Sequence, residues 1–356
     1  MLHLHVSEPD DPALAGLGAA LAGSTSLVWR LHRLSRWAAA GRVRHHGLRT
    51  LGLAPGPASP PPPVPGDTVL LTSPAQAPLL DTLCDHVSVA YYAKDNFAVG
   101  HGWAPERVRR WEAVITRRSE HVVAVSQSLA AELGIRNGLR ADRVGVSPNA
   151  VPAAVIPERF PEQPRPLPGS LGAVPRPVAG VLGRVSSRLR LDWLRAVVDR
   201  TPWLHWLFAG DVEPRELRIR DLTHLAWLRR HFRCHFTGRR TYDELCAYAG
   251  AVDVAVLPYS DASVNPWASP MRLFLHLPFG RPILATPGCQ QLEEFAPLVT
   301  LCRSPEDLAE TLEELRWRDF DDGLGQARWQ AAAEHTWERR AEGLIRRLPA
   351  LPGCPA

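Results

Sequence analysis

Short apolar runs alternate with longer amphipathic ones along most of the chain. From residue 67 the stretch Asp67-Thr-Val-Leu-Leu-Thr72 predicts a buried strand, 75–84 a helix and 86–92 a second strand. The rhythm continues with a helix over 105–119, a strand over 121–125, a helix over 127–133 and a strand over 144–147. A second alternation begins at 178–182, a continuous Val-Ala-Gly-Val-Leu strand, followed by a helix over 191–200 and strands within 203–209 and 231–236. A helix over 242–249 and a strand over 252–257 then lead through a polar loop to a short helix starting near Pro270, a stop at Gly280 and a strand over 282–285. Helices close the chain over 304–316, with Ser304 as N-cap and Pro305 at N1, and over 328–347. Strands alternating with helices predict an α/β chain whose parallel sheets carry helices on both faces.

The start of the chain is less regular. Residues 13–21, rich in Ala, Leu and Gly, predict a helix. Over 27–40, Leu27, Leu31, Leu34, Trp37 and Ala38 fit one apolar helix face, with Arg30, His32, Arg33 and Arg36 opposite. Such a basic face is either solvated or rests on anionic headgroups, which here would mean peripheral contact with the inner membrane surface. Proline-rich 56–65 predicts a stiff loop, and proline-rich 156–176 a linker. The expected organisation is an N-terminal domain over 1–155, that linker, a second domain over 177–325 and a helical tail over 326–356.

Composition narrows the class. The 356 residues, 45% hydrophobic and 22% charged, are those of a globular protein with two cores, and no apolar run reaches the length of a membrane span. The first residues lack a basic flank followed by an apolar core, so a cytoplasmic location is expected. Six scattered cysteines without a C-x-x-C spacing predict reduced thiols, neither a zinc site nor a disulfide framework. The formal charge of +4 is carried by arginine, with Lys94 the single lysine, a skew explained by genomic base composition. No basic run interleaved with aromatics points to nucleic acid.

In parallel sheets, function gathers in the loops after the strands. In the first half these loops hold Ser73, Lys94-Asp-Asn-Phe97, His101, Ser126-Gln-Ser128 and Asn149. Asp95 is a candidate general base or the cap of the next turn, and His101, flanked by two glycines, is a second candidate. In the second half Gly183 follows a strand directly, letting a phosphate approach the backbone, with Arg184 and Arg188 beside it. The loop ending in Ser269-Pro-Met-Arg272 feeds a helix N-terminus and adds the Arg272 charge, chemistry suited to a diphosphate.

Several of these blocks resemble GT-B glycosyltransferases, nearest to family 4 and its relatives that build bacterial exopolysaccharides and envelope polymers. The resemblance rests on Ser269-Pro-Met-Arg-Leu-Phe274 with Gly280-Arg-Pro-Ile-Leu-Ala-Thr286, the join after Ser147-Pro-Asn-Ala-Val-Pro152, the Gly183-Arg184 turn, Val122-Ala-Val-Ser-Gln-Ser-Leu129, Leu207-Phe-Ala-Gly210, Phe236-Thr-Gly-Arg239, Leu257-Pro-Tyr259 and Trp337. It implies two Rossmann-like doubly wound domains facing across a cleft, with C-terminal helices returning to the first domain. It also implies a glycosyl transfer (EC 2.4 class) from a nucleotide sugar of UDP or GDP type to a glycan or lipid-linked glycan acceptor, without a metal or other cofactor. The donor-binding set it implies is Gly183, Arg184, Arg188, Gly238, Arg239, Tyr259, Ser269, Pro270, Met271 and Arg272, and Asp95 and His101, read from their own loop, are the catalytic candidates of the first domain. The chain departs from the family where an acidic pair is usual, because Trp267 and Leu275 stand there. That departure opens a second reading, a catalytically degenerate GT-B protein that scaffolds an active transferase. A third, a GT-B sugar-nucleotide epimerase, needs acidic and histidine residues that the blocks do not supply.

Overall fold

The computed structural model describes residues 2–6, 11–24, 27–32, 50–52, 63–99, 102–214, 217–262 and 264–348. The chain divides into two compact units, one of residues 1–150, 267–269 and 337–356, the other of residues 151–266 and 270–336.

In the first unit the described residues form a seven-stranded sheet in the order β3-β2-β1-β4-β5-β6-β7. Its strands are β1 (Leu2–Val6), β2 (Leu27–His32), β3 (Thr50–Gly52), β4 (Thr68–Leu71), β5 (Ser88–Ala93), β6 (His121–Ala124) and β7 (Val144–Val146). All neighbours are parallel except β2 and β3. The amphipathic helix expected from residue 27 is corrected here. Leu27 to Leu31 pair residue by residue with Leu2 to Val6, so ladder hydrogen bonding overrides a helical spacing that was supported by only a few apolar positions. The rest of that expected helix, 33–40, lies outside the described residues, as does His101.

Helix α1 (Pro12–Ser24) is capped by Asp11, whose Oδ1 accepts from the N–H groups of Ala13 and Leu14 at 2.9 and 3.2 Å. The expected helix over 75–84 is a 3-10 helix, Pro74–Thr82. Pro78 within it cannot donate to an α-helical ladder, and Gln76 Oε1 fixes its entry by accepting from the N–H groups of Thr72 and Ser73. Helices α2 (Pro105–Arg118) and α3 (Gln127–Asn137) follow β5 and β6. Under them lies a buried ion pair, Arg136 with Glu112 at 2.7 Å. The C-terminal helix Trp337–Ile345 belongs to this unit, and Gly16 of α1 leaves room for the Trp337 indole.

The second unit holds six strands among the described residues, all parallel, in the order β10-β9-β8-β11-β12-β13. They are β8 (Val178–Leu182), β9 (His205–Ala209), β10 (Cys234–Gly238), β11 (Val254–Leu257), β12 (Ile283–Ala285) and β13 (Thr300–Leu301). Strands β8 and β11 are buried along their whole length, which is why they read as unbroken apolar runs. Trp206, Phe208 and Val181 pack on Leu194, Val197 and Val198 of helix α4 (Leu191–Arg200). The proline-rich 156–176 segment packs as part of this unit: Leu167 is buried with Val178 and Leu182, and Arg176 pairs with Asp253 at 2.6 Å. Helix α5 (Ile219–Arg230) is an addition to the sequence expectation.

Candidate functional site

Three glycines mark the carboxyl ends of the adjacent strands β8, β9 and β10. Gly183 and Gly238 have φ of +95° and +73°, a region that side chains avoid, and Gly210 has +149°. Gly183 N–H donates to Ala209 at 2.7 Å and Gly210 N–H to Gly238 at 3.0 Å, so the three turns are laced together. A Cβ on Gly210 would lie 2.4 Å from the Gly183 carbonyl oxygen. The glycines here answer to close packing: Gly210 sits against the Gly183 backbone, Gly183 lies beside the Arg272 guanidinium, and Gly238 is exposed.

Helix α6 (Tyr242–Ala249) follows β10, and Arg272 comes to the same edge from helix α7 (Met271–His276). Its Nε donates to the Leu182 carbonyl at 2.6 Å, and Nη2 donates to the Arg184 carbonyl. Its guanidinium carbon stands 5.5 Å from the centre of the Tyr259 ring, a cation–π distance. Burial raises the pKa of the Tyr259 hydroxyl, while Arg272 and Arg188 act against that rise, which puts both cations within electrostatic reach of the ring. The loops carrying these residues are tied together. Arg190 N–H donates to Pro258 at 2.7 Å, Ser260 N–H to Arg188 at 2.8 Å, and Ser260 Oγ to Ser187 at 2.7 Å.

No protein-family model and no curated protein matches the sequence. Solved structures match along nearly its whole length. Anabaena HepE in complex with UDP-glucose is 14% identical with a TM-score of 0.70, covering 98% of this chain and 99% of that one. The E. coli trehalose-6-phosphate structure bound with UDP-2-fluoro glucose is 9% identical with a TM-score of 0.68, covering 97% and 98%. The lipopolysaccharide outer core galactosyltransferase WaaB is 10% identical with a TM-score of 0.59, covering 97% and 98%. The chain has the GT-B fold.

Against that fold, the structure gathers Gly183, Arg184, Arg188, Tyr259 and Arg272 around one strand end of the second unit. Arg184 is exposed, and Arg188 and Met271 are half-buried. Pro270 is buried as the N-cap of a helix of only six residues, too short for much of a macrodipole, so the positive potential expected from the helix end rests on Arg272 instead. Gly238 joins the site through Gly210, while Arg239 is exposed at the end of β10.

Ser269 belongs to the first unit, where its Oγ accepts from Asn149 N–H at 2.9 Å and its carbonyl from Asn149 Nδ2 at 2.7 Å. Asp95 Oδ1 accepts from Asn96 N–H at 2.9 Å, the arrangement of a turn cap. Leu275 is buried among Leu182, Ala249, Val252 and Phe279, so that position faces apolar core. Its neighbour His276 is buried with both ring nitrogens unpartnered, and burial pulls its pKa down to about 3.

Sequence reasoning missed Asn265. Its Nδ2 donates to the carbonyls of Arg188 at 3.0 Å and Ser260 at 2.9 Å, and its Oδ1 is buried without a partner. An Asn-Pro pair in the loop after a buried strand was the available signal.

Proposed function

We propose that this GT-B protein is a glycosyltransferase, moving a sugar from a nucleoside-diphosphate sugar of UDP or GDP type to a hydroxyl of a glycan or lipid-linked glycan. The observation that carries the reading is Arg272 held over the Gly183 turn, with Tyr259 under it and Arg188 beside it. The Gly183 turn carries no side chain of its own beside Arg272, and the arginines stabilise negative charge as the diphosphate departs. Two of the similar structures hold UDP-sugar compounds, which supports this choice of donor class.

The acceptor hydroxyl oxygen forms a bond to the anomeric carbon as the bond from that carbon to the diphosphate breaks; the diphosphate leaves with the electron pair and the hydroxyl proton passes to Asp95. Preorganised cations at the leaving group contribute about 3–4 kcal/mol each in sites that exclude water. No metal cofactor is part of this proposal, because arginine supplies the neutralising charge. Asp95, held in its turn by Asn96, is assigned to orient the acceptor hydroxyl. We place the reaction in the cytoplasm, in polysaccharide or glycoconjugate synthesis.

The apolar burial of Leu275, where related enzymes carry an acidic or amide side chain, favours one second reading, a catalytically degenerate GT-B protein that scaffolds an active transferase. Calorimetry with UDP and GDP, followed by hydrolysis and transfer assays with UDP-, GDP- and ADP-sugars, separates the readings. Binding with turnover supports the transferase, and no turnover with any donor together with no nucleotide binding supports the scaffold and overturns the transferase.

A further inference from the structure

Of the 41 lysine and arginine residues in the chain, Lys94 is the single lysine. Base composition that converts exposed cations to arginine explains the other positions and leaves this one unexplained. Lys94 follows β5 directly, and its side chain is only 11% exposed. Its Nζ lies 2.5 Å from Oδ2 of Asp11, itself 18% exposed. The other oxygen of Asp11 caps α1, so the carboxylate is fixed in place and aims one oxygen at the ammonium.

Topology gives this pair a meaning. The sheet order puts β4 between β1 and β5. The chain leaving β1 passes through α1 to β2 on one side, and the chain leaving β4 goes to β5 on the other. The strand order therefore reverses between β1 and β4, and the Asp11–Lys94 pair spans the carboxyl end of β4 beside that reversal. Open parallel sheets bind ligands at this point. Tyr92, two residues before Lys94, donates its hydroxyl to the Ser147 carbonyl at 3.0 Å and ties the end of β5 to the chain after β7.

A carboxylate and an ammonium in contact present a hydrogen-bond acceptor and a donor side by side. Vicinal hydroxyls are their complement, one donating to Asp11 while its neighbour accepts from Lys94. Arginine fits such a place poorly, since its planar fork is matched to carboxylates and phosphates and its head is wider than an ammonium. We propose that Asp11 and Lys94 form a sugar-binding clamp in the first unit that holds vicinal hydroxyls of the glycosyl acceptor. The inference rests on the transferase reading for the word acceptor, and on the geometry of the first unit for the site.

The single lysine makes the test direct. N-acetoxysuccinimide has one side-chain amine to acylate, and mass spectrometry of the peptide containing Lys94 reads the rate. With the full-length wild-type protein, a panel of methyl hexopyranosides and short oligosaccharides is expected to include members that slow acylation at least threefold, with polyethylene glycol of equal osmolality giving no protection. No protection by any saccharide overturns the clamp. In variants, Asp11→Asn keeps an N-capping side chain while removing the charge, and Lys94→Arg keeps the charge while changing the geometry. Each is expected to raise KM for the acceptor, or weaken the protecting saccharide, by about tenfold or more, the size of one lost hydrogen bond to a charged group. Unchanged values in both variants overturn the clamp as well. UDP and GDP calorimetry on the wild type tests the transferase reading separately: protection of Lys94 by saccharides without binding of either nucleotide retains the clamp and rejects the transferase.

Discussion

The Nε of Arg272 donates to the carbonyl oxygen of Leu182, the last residue of β8, at 2.6 Å. A helix residue thereby holds a strand end 90 residues earlier in the chain and closes one side of the Gly183 turn. Arg272→Ala is expected to weaken UDP or GDP binding by at least about tenfold, as loss of a charge-assisted contact implies. Arg272→Lys keeps the charge but cannot span the Leu182 and Arg184 carbonyls together, so it should recover only part of the affinity. Calorimetry reads both, and nucleotide affinity equal to wild type in Arg272→Ala would sink the donor site.

Gly210 and Gly183 meet backbone to backbone. Adding a methyl group at Gly210 places carbon 2.4 Å from the Gly183 oxygen, at a φ of +149° that side chains rarely adopt. Gly210→Ala should cost the second unit about 2–4 kcal/mol through strain and overpacking. It should weaken nucleotide binding too, because the Gly183 turn must move. Urea unfolding and calorimetry check the two effects, and a variant as stable as wild type would show that the glycines are not in register.

These two sites show what the chain discloses before folding. Gly183 and Arg272 stand in local patterns, a glycine after an apolar run and an arginine after Ser-Pro, so they were readable singly. That Arg272 is bound to backbone carbonyls was not, since the partner is fixed by the sheet order rather than by spacing. The same holds for Asp11 and Lys94, 83 residues apart. Strands β8 and β11 were evident because burial on both faces demands continuous apolar sequence. Leu27 to His32 misled because so short a run satisfies helical and strand spacing alike, and only its pairing with β1 decides. Helix α5 escaped notice because its apolar residues divide between a buried pair, Leu225 and Leu228, and an exposed one, Ile219 and Leu222, which blurs the periodicity.

Gly16 and Trp337 test how the last helix is held in the first unit. The indole fills the space above Gly16, where an added Cβ would lie 2.2 Å from Nε1. Gly16→Ala is expected to destabilise by about 1–3 kcal/mol through overpacking, and Trp337→Ala by about 3–5 kcal/mol through the cavity left behind. If the contact is the cause, Gly16→Ala should cost less in a Trp337→Ala background than alone. Additive effects in denaturant unfolding would mean the two residues do not meet.

Asp67 supplies a pH prediction. Its carboxylate is buried, which by itself would raise the pKa, but it accepts from Val64 N–H at 3.0 Å and lies 2.8 Å from Nε2 of His3. Hydrogen bonds, together with the pull of further positive charge, outweigh burial, and the pKa falls from 3.8 to about 2. A carboxyl group with a folded pKa below its unfolded value contributes stability that is complete above the unfolded pKa. That contribution disappears as pH falls through the folded value, here a window from roughly pH 4 down to pH 2. The shift corresponds to about 2 kcal/mol at neutral pH. Asp67→Asn should therefore lower stability at pH 7 by about that amount and flatten the stability curve of the first unit between roughly pH 4 and pH 2. Urea unfolding across that range is the check, and equal slopes for wild type and variant would show that the carboxylate is not held by these partners.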